Sequence, residues 1–203
     1  TAEVCAAAAR AVVALLEDER SAEGGPWADA LDTWQRTGRI RKLVRRGRAS
    51  AWTRAQQPDG CTARVGRAEV RAFVPGPMND VPPEVARLQI QSTALDQPER
   101  RRTIPAGADG MLIIVTPTVE MTWGKTAAQC AHAAQLLHRR SELSQMQRWK
   151  NQGKPVFVVH ASEALWEDEI ERSSVQVTDG GFTEIPAGTM TPVARWSGPT
   201  GSR

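Results

Sequence analysis

Lys125, Gln129 and His132 stand four and three residues apart, a spacing that puts all three on one face of a helix. The run that carries them is Thr122-Trp-Gly-Lys-Thr-Ala-Ala-Gln-Cys-Ala-His-Ala-Ala134, and it follows the apolar stretch Met111-Leu-Ile-Ile-Val115. The apolar stretch predicts a buried strand, and the alanine-rich run predicts a helix whose small side chains pack closely on a sheet. Gly124 and Lys125 then fall at the strand-to-helix turn. A lysine beside the free backbone N–H groups of a helix start makes a place for an anion. Taken alone, the pattern equally fits an ordinary amphipathic helix with its polar face in water.

A second stretch, Val177-Thr-Asp-Gly-Gly-Phe-Thr-Glu-Ile-Pro-Ala-Gly-Thr-Met-Thr191, places the carboxylate of Asp179 ahead of a Gly180-Gly181 turn and adds the hydroxyls of Thr183 and Thr191. A carboxylate orients or deprotonates water, and a lysine holds a phosphate or a developing oxyanion. Hydroxyls both donate and accept. Plainer readings stand beside these. Asp before Gly-Gly is a common turn residue, threonine is ordinary in strands, and a single histidine is more often structural.

The two motifs together, in this order and joined by a helix and a strand, resemble the archaeal and eukaryotic type (type 2) of peptidyl-tRNA hydrolase over about residues 109–196. The resemblance implies cleavage of the ester between a peptide and tRNA, with tRNA as partner and no cofactor or metal. It implies Lys125, Asp179, Thr183 and Thr191 as the catalytic set, supported by Gln129 and His132. The family usually carries an Arg, an Asp and a further Lys at the end of its first strand and in the following loop. Here those positions are Thr116, Thr118 and Trp123. A catalytically inactive tRNA- or RNA-binding protein of the same fold is therefore the alternative.

Over its 203 residues the chain carries a net charge of +3, which permits a polyanionic partner without requiring one. The basic residues are concentrated: Arg36, Arg39, Arg41, Lys42, Arg45, Arg46, Arg48 and Arg54 occur with no acid between Asp32 and Asp59. Such a run is either a solvated face or an RNA-backbone contact. Three cysteines, Cys5, Cys61 and Cys130, form no metal-binding spacing, which suggests a reducing, cytoplasmic setting. The longest apolar runs fall far short of a bilayer span.

The two halves of the chain resemble one another. Ala2-Glu-Val-Cys-Ala-Ala-Ala-Ala9 aligns with Ala127-Ala-Gln-Cys-Ala-His-Ala-Ala134, Trp34-Gln-Arg-Thr-Gly38 with Trp149-Lys-Asn-Gln-Gly153, and Val85-Ala-Arg-Leu88 with Val193-Ala-Arg-Trp196. In the first copy Gln129 becomes Val4 and His132 becomes Ala7, so any chemistry resides in the second. The expected fold is α/β: two tandem peptidyl-tRNA-hydrolase-like domains, each a small mixed sheet flanked by helices. They form a pseudo-dimer that is monomeric or weakly oligomeric. The expected boundaries are 1–95 for the degenerate copy, 96–108 for a linker and 109–203 for the hydrolase-like domain. The repeat predicts strands at 40–46, 62–74 and 85–92 in the first copy.

Overall fold

A computed structural model describes residues 2–36, 44–77, 79–89, 102–181 and 184–198. Strand β3 (Gly110–Val115) is buried along its whole length, as its unbroken apolar sequence requires. It runs parallel to β4 (Val156–His160), from Met111 opposite Val156 to Val115 opposite His160. On its other side it is antiparallel to β6 (Met190–Ser197). Strand β5 (Val175–Thr178) closes that edge, antiparallel to β6, so the order is β4-β3-β6-β5. Helices α5 (Trp123–Arg140) and α6 (Leu143–Asn151) connect β3 to β4, and α7 (Glu163–Arg172) connects β4 to β5.

Side chains alternate along a strand, so β3 serves two cores. Met111, Ile113 and Val115 meet Cys130, Ala131, Ala134 and Leu137 of α5. Leu112 and Ile114 meet Val159, Val193 and Trp166 on the opposite face, where α7 lies. The helix starts are capped as their sequences suggest. Thr122 accepts from the Lys125 N–H at 3.3 Å, and Ser162 accepts from the Leu165 N–H at 3.3 Å. His138, Arg139 and Arg140 in the last turn of α5 suit the negative end of its dipole.

The N-terminal half begins with α1 (Ala2–Leu16), which lies against α5 and joins the first core through Cys5, Ala6, Ala8, Ala9 and Val13. Alanine-rich faces on both helices allow this close approach. Next come α2 (Ala28–Arg36), α3 (Ala49–Arg54), β1 (Gly60–Val65), β2 (Ala68–Phe73) and α4 (Pro83–Ala86). Leu15, Trp27 and Leu31 form a separate small cluster, edged by Cys61, Ala72 and Val74.

Two element assignments drawn from the repeat are corrected here. Residues 62–74 are a hairpin rather than one strand: β1 and β2 pair antiparallel across a two-residue loop, Val65 opposite Ala68. Gly66 takes the first loop position with φ of +54°, the positive φ that such loops favour. Residues 85 and 86 belong to α4, with Pro83 in its first turn, instead of opening a strand over 85–92. In the described part of that segment, 85–89, only Gln89 pairs as a strand would, in an isolated antiparallel bridge with Arg46. Most of the strand expected at 40–46 lies outside the described residues. The described N-terminal half therefore holds a two-stranded antiparallel sheet, and the small mixed sheet belongs to the second half alone.

The described part of the expected linker, 102–108, is docked onto the second half. Ile104 packs beside Leu112 and Ile114, and Ser197 donates to the Ala108 carbonyl at 2.8 Å. Among the described residues, no helix is long and apolar enough to cross a membrane.

Candidate active site

The parallel pair β3–β4 brings its C-terminal ends to one edge of the sheet, together with the start of α5, the end of β5 and the start of β6. Asp179 stands at this edge, immediately after β5. Its N–H donates to Thr189 O at 2.8 Å and its carbonyl accepts from Gly188 N at 2.9 Å, which closes the intervening residues into a loop. Its side chain is 6% exposed and lies 2.5 Å from Nζ of Lys125, itself only 13% exposed. Gln129, one helical turn beyond Lys125, donates to the same carboxylate oxygen, Oδ2. The other oxygen, Oδ1, accepts from the Gly181 N–H at 2.8 Å.

Burial of a carboxylate demands a countercharge and filled hydrogen bonds, and Asp179 has both. Gly181 is required where it stands. Its φ is +73°, and a Cβ there would lie 2.7 Å from Ala187 N. The predicted helical face and the predicted Gly-Gly turn thus converge on one ion pair, joining residues 54 positions apart in sequence.

The other candidates fare differently. Thr191 is fully buried, and its hydroxyl donates to Val177 O at 3.4 Å inside the sheet. Its carbonyl accepts from Thr116 N at 2.8 Å, binding the start of β6 to the end of β3. Thr191 is a strut of the site rather than an open hydroxyl. His132 lies further along α5, with Nδ1 3.0 Å from Oε1 of Gln135. Thr183 lies outside the described residues. Thr116 and Thr118 bond to each other through their hydroxyls at 2.9 Å, so the start of the loop after β3 closes on itself and presents no cation.

Within the basic run, Arg39, Arg41 and Lys42 lie outside the described residues. Arg36 pairs with Asp32 on the same helix. Arg45 donates to Ala86 O at 2.9 Å and Leu88 O at 3.5 Å, fastening its segment to α4. Arg46 makes the backbone bridge to Gln89, and Arg48 precedes α3 as its N-cap residue.

Two features of this edge escaped the sequence reading. Glu184, from the loop between β5 and β6, accepts from Thr122 N at 2.8 Å and Thr122 Oγ1 at 2.5 Å. Trp123 packs edge-on against His160, with ring centroids 5.6 Å apart and planes at 78°. No spacing rule pointed to either pairing, since both join segments distant in sequence.

A mixed four-stranded sheet with a lysine–aspartate pair at a helix start defines an α/β protein with a partly water-excluded polar site. Residues 110–200 match the family model described as peptidyl-tRNA hydrolase PTH2. A protein named peptidyl-tRNA hydrolase from Methanothermobacter thermautotrophicus (strain Delta H) is 36% identical over 87 residues, covering 39% of this chain and 78% of that relative. The chain belongs to the PTH2 family of peptidyl-tRNA hydrolases.

Proposed function

We propose that this protein hydrolyses the ester that joins a peptide to tRNA, with Asp179, Lys125 and Gln129 as its chemical centre. The observation that carries this reading is the buried Lys125–Asp179 pair at the start of α5. Water held by the Asp179 carboxylate attacks the ester carbonyl carbon. Lys125 and the N-terminal dipole of α5 stabilise the negative charge that develops on the carbonyl oxygen. The bond to the ribose oxygen then breaks, and that oxygen takes up the proton the water gave up. The products are a tRNA with its terminal hydroxyl restored and a peptide carboxylic acid, which gives its proton to solvent to become the carboxylate. Gln129 fixes the rotamer of Asp179 through its bond to Oδ2. The family resemblance adds the hydroxyl of Thr183, and Thr191 holds the strand ends together. His132 supports α5 from within. This chemistry needs neither metal nor cofactor, and peptidyl-tRNA as substrate supports a cytoplasmic setting.

The self-bonded threonines at 116 and 118 favour a second reading, an RNA-binding protein that has lost turnover. A turnover assay on peptidyl-tRNA separates the two. Release of peptide supports the hydrolase, and binding without release supports the alternative.

We also propose that residues 1–95 descend from a copy of the hydrolase-like domain, 109–203. Cys5 and Cys130 are matched positions of the repeat, and both are fully buried in the core that α1 and α5 share. Packing of matched helices against each other is what a two-fold arrangement of the copies requires. If α1 fills a partner's place, the full chain is monomeric by sedimentation equilibrium. A fragment beginning at 102, which loses α1, is expected to self-associate or unfold. A full chain that dimerises would overturn this.

A further inference from the structure

The C-terminal end of β4 carries a second cluster, on the other side of the α5 start from Asp179. Trp123 is the first residue of α5, half-exposed, and braced by the buried ring of His160 at the last position of β4. The next residue, Ala161, accepts a hydrogen bond through its carbonyl from Nη1 of Arg102, at 3.4 Å. Arg102 is otherwise exposed, so its guanidinium stands at this edge with capacity to spare. An indole and a guanidinium thus meet two consecutive residues at the end of a parallel strand, beside a helix N-terminus.

We infer that Trp123 and Arg102 form a nucleotide subsite at the end of β4, which takes the terminal adenosine of tRNA. The inference rests on the hydrolase reading for its substrate. Every tRNA carries its ester on the same terminal adenosine, whereas the peptide varies, so a fixed aromatic platform suits the base. Stacking on an aromatic ring holds a base, and a guanidinium holds the phosphate beside it. The ends of parallel strands next to a helix start are where α/β sheets receive nucleotides. The strand order puts three strand spacings, roughly 14 Å, between the ends of β4 and β5. Lys125 and Asp179 reach inward from the β5 side. A nucleotide on Trp123 can therefore extend its ester toward them across the start of α5. The loop after β3 offers no cation, and Arg102 brings one to the same edge from the connecting segment.

The test uses the full chain and two labelled RNA oligomers, one ending in CCA and one in which the terminal adenosine is replaced by an abasic ribose. Binding is read by fluorescence anisotropy, which needs no turnover. Wild type is expected to prefer the adenine-bearing oligomer by about five- to a hundred-fold, the scale of one stacked base. Trp123→Ala is expected to abolish the preference, and Trp123→Phe, which keeps a ring against His160, to retain most of it. Arg102→Gln is expected to weaken both oligomers alike. No preference in wild type, no binding of either oligomer, or a preference that survives Trp123→Ala would overturn the subsite. If wild type releases peptide yet shows no adenine preference, the subsite falls and the hydrolase stands. If Trp123-dependent preference occurs without peptide release, the subsite stands and the hydrolase reading falls.

Discussion

Glu184 reaches across the edge of the candidate site to Thr122: its carboxylate takes both the backbone N–H and the hydroxyl of that residue, at 2.8 and 2.5 Å. Thr122 is also the N-cap of the helix that carries Lys125 and Gln129. The loop that presents Asp179 is therefore fastened to the helix that presents its partners, a second tie besides the Lys125–Asp179 pair itself. Replacing Glu184 by Ala removes both bonds at an exposed position. The expected cost is about 1 kcal/mol. For a protein of this length that is a fall of roughly 2–4 °C in Tm. Glu184→Gln is expected to retain part of it, since an amide oxygen still accepts. Thermal unfolding checks the stability, and peptidyl-tRNA turnover, expected to fall with it, checks the link to the site.

A second ion pair holds the far side of the sheet. Glu169 of α7 is fully buried, and both of its oxygens are bonded by Arg195 of β6, at 2.7 and 2.9 Å. Removing the guanidinium leaves a buried carboxylate whose remaining cation, the largely exposed Arg172, is 3.8 Å away. Arg195→Ala is expected to cost about 3–5 kcal/mol. The double change Glu169→Leu, Arg195→Met is expected to recover most of it. Urea unfolding of the single and double variants measures the difference.

His138 gives stability a pH dependence. It sits where the ends of α1 and α5 meet, with Nε2 3.5 Å from Glu17, whose carboxylate is also 2.9 Å from Lys150. Burial pushes the imidazole below its ordinary value of 6.5, and Glu17 pulls the other way less strongly. A lowered pKa means that the unfolded chain binds the proton more readily than the folded one. This stabilisation is present above about pH 6.5 and is lost as pH falls through the folded value. Tm measured at pH 5.5 and 7.5 is expected to drop at the acid end, and His138→Gln to reduce that drop.

Much of the site was legible because it rests on local rules. The four-residue spacing of Lys125 and Gln129 and the buried run at 111–115 each need only one period to be recognised. Asp179 was legible as a turn residue before glycine, though its partner was not, because nothing in the sequence states which helix faces the turn. Thr191 looked like an available hydroxyl. Its place on β6, opposite the end of β3, turns that hydroxyl inward. The hairpin at 60–73 was missed for a different reason. Alignment to the second half demanded one strand, and that demand outweighed the local Val65-Gly66-Arg67-Ala68 signal for a tight turn. Pro82-Pro83-Glu84 was likewise a helix-start signal that alignment overrode.

Within the basic run, Arg36 and Arg45 have structural partners, and the RNA-contact proposal rests on the others. Arg45 and Arg36 are engaged within the protein, so they are expected to add little to RNA affinity. Changing Arg41, Lys42, Arg46 and Arg48 together to Gln is expected to flatten the dependence of tRNA affinity on salt. The slope of log K against log salt should fall by up to about 0.9 for each phosphate that is no longer neutralised. An unchanged slope, measured by titration between low and physiological salt, would assign the run to a solvated face.

Turnover of peptidyl-tRNA by wild type and by Asp179→Asn, measured side by side at saturating substrate, reaches the centre of the mechanism. The substitution keeps the shape that Lys125, Gln129 and Gly181 surround and removes the charge proposed to activate water. The expected result is peptide release by wild type and a loss of about two orders of magnitude or more in kcat for the variant. Equal rates for the two proteins would contradict the assignment of Asp179, and tRNA binding without any peptide release by wild type would contradict the hydrolase itself.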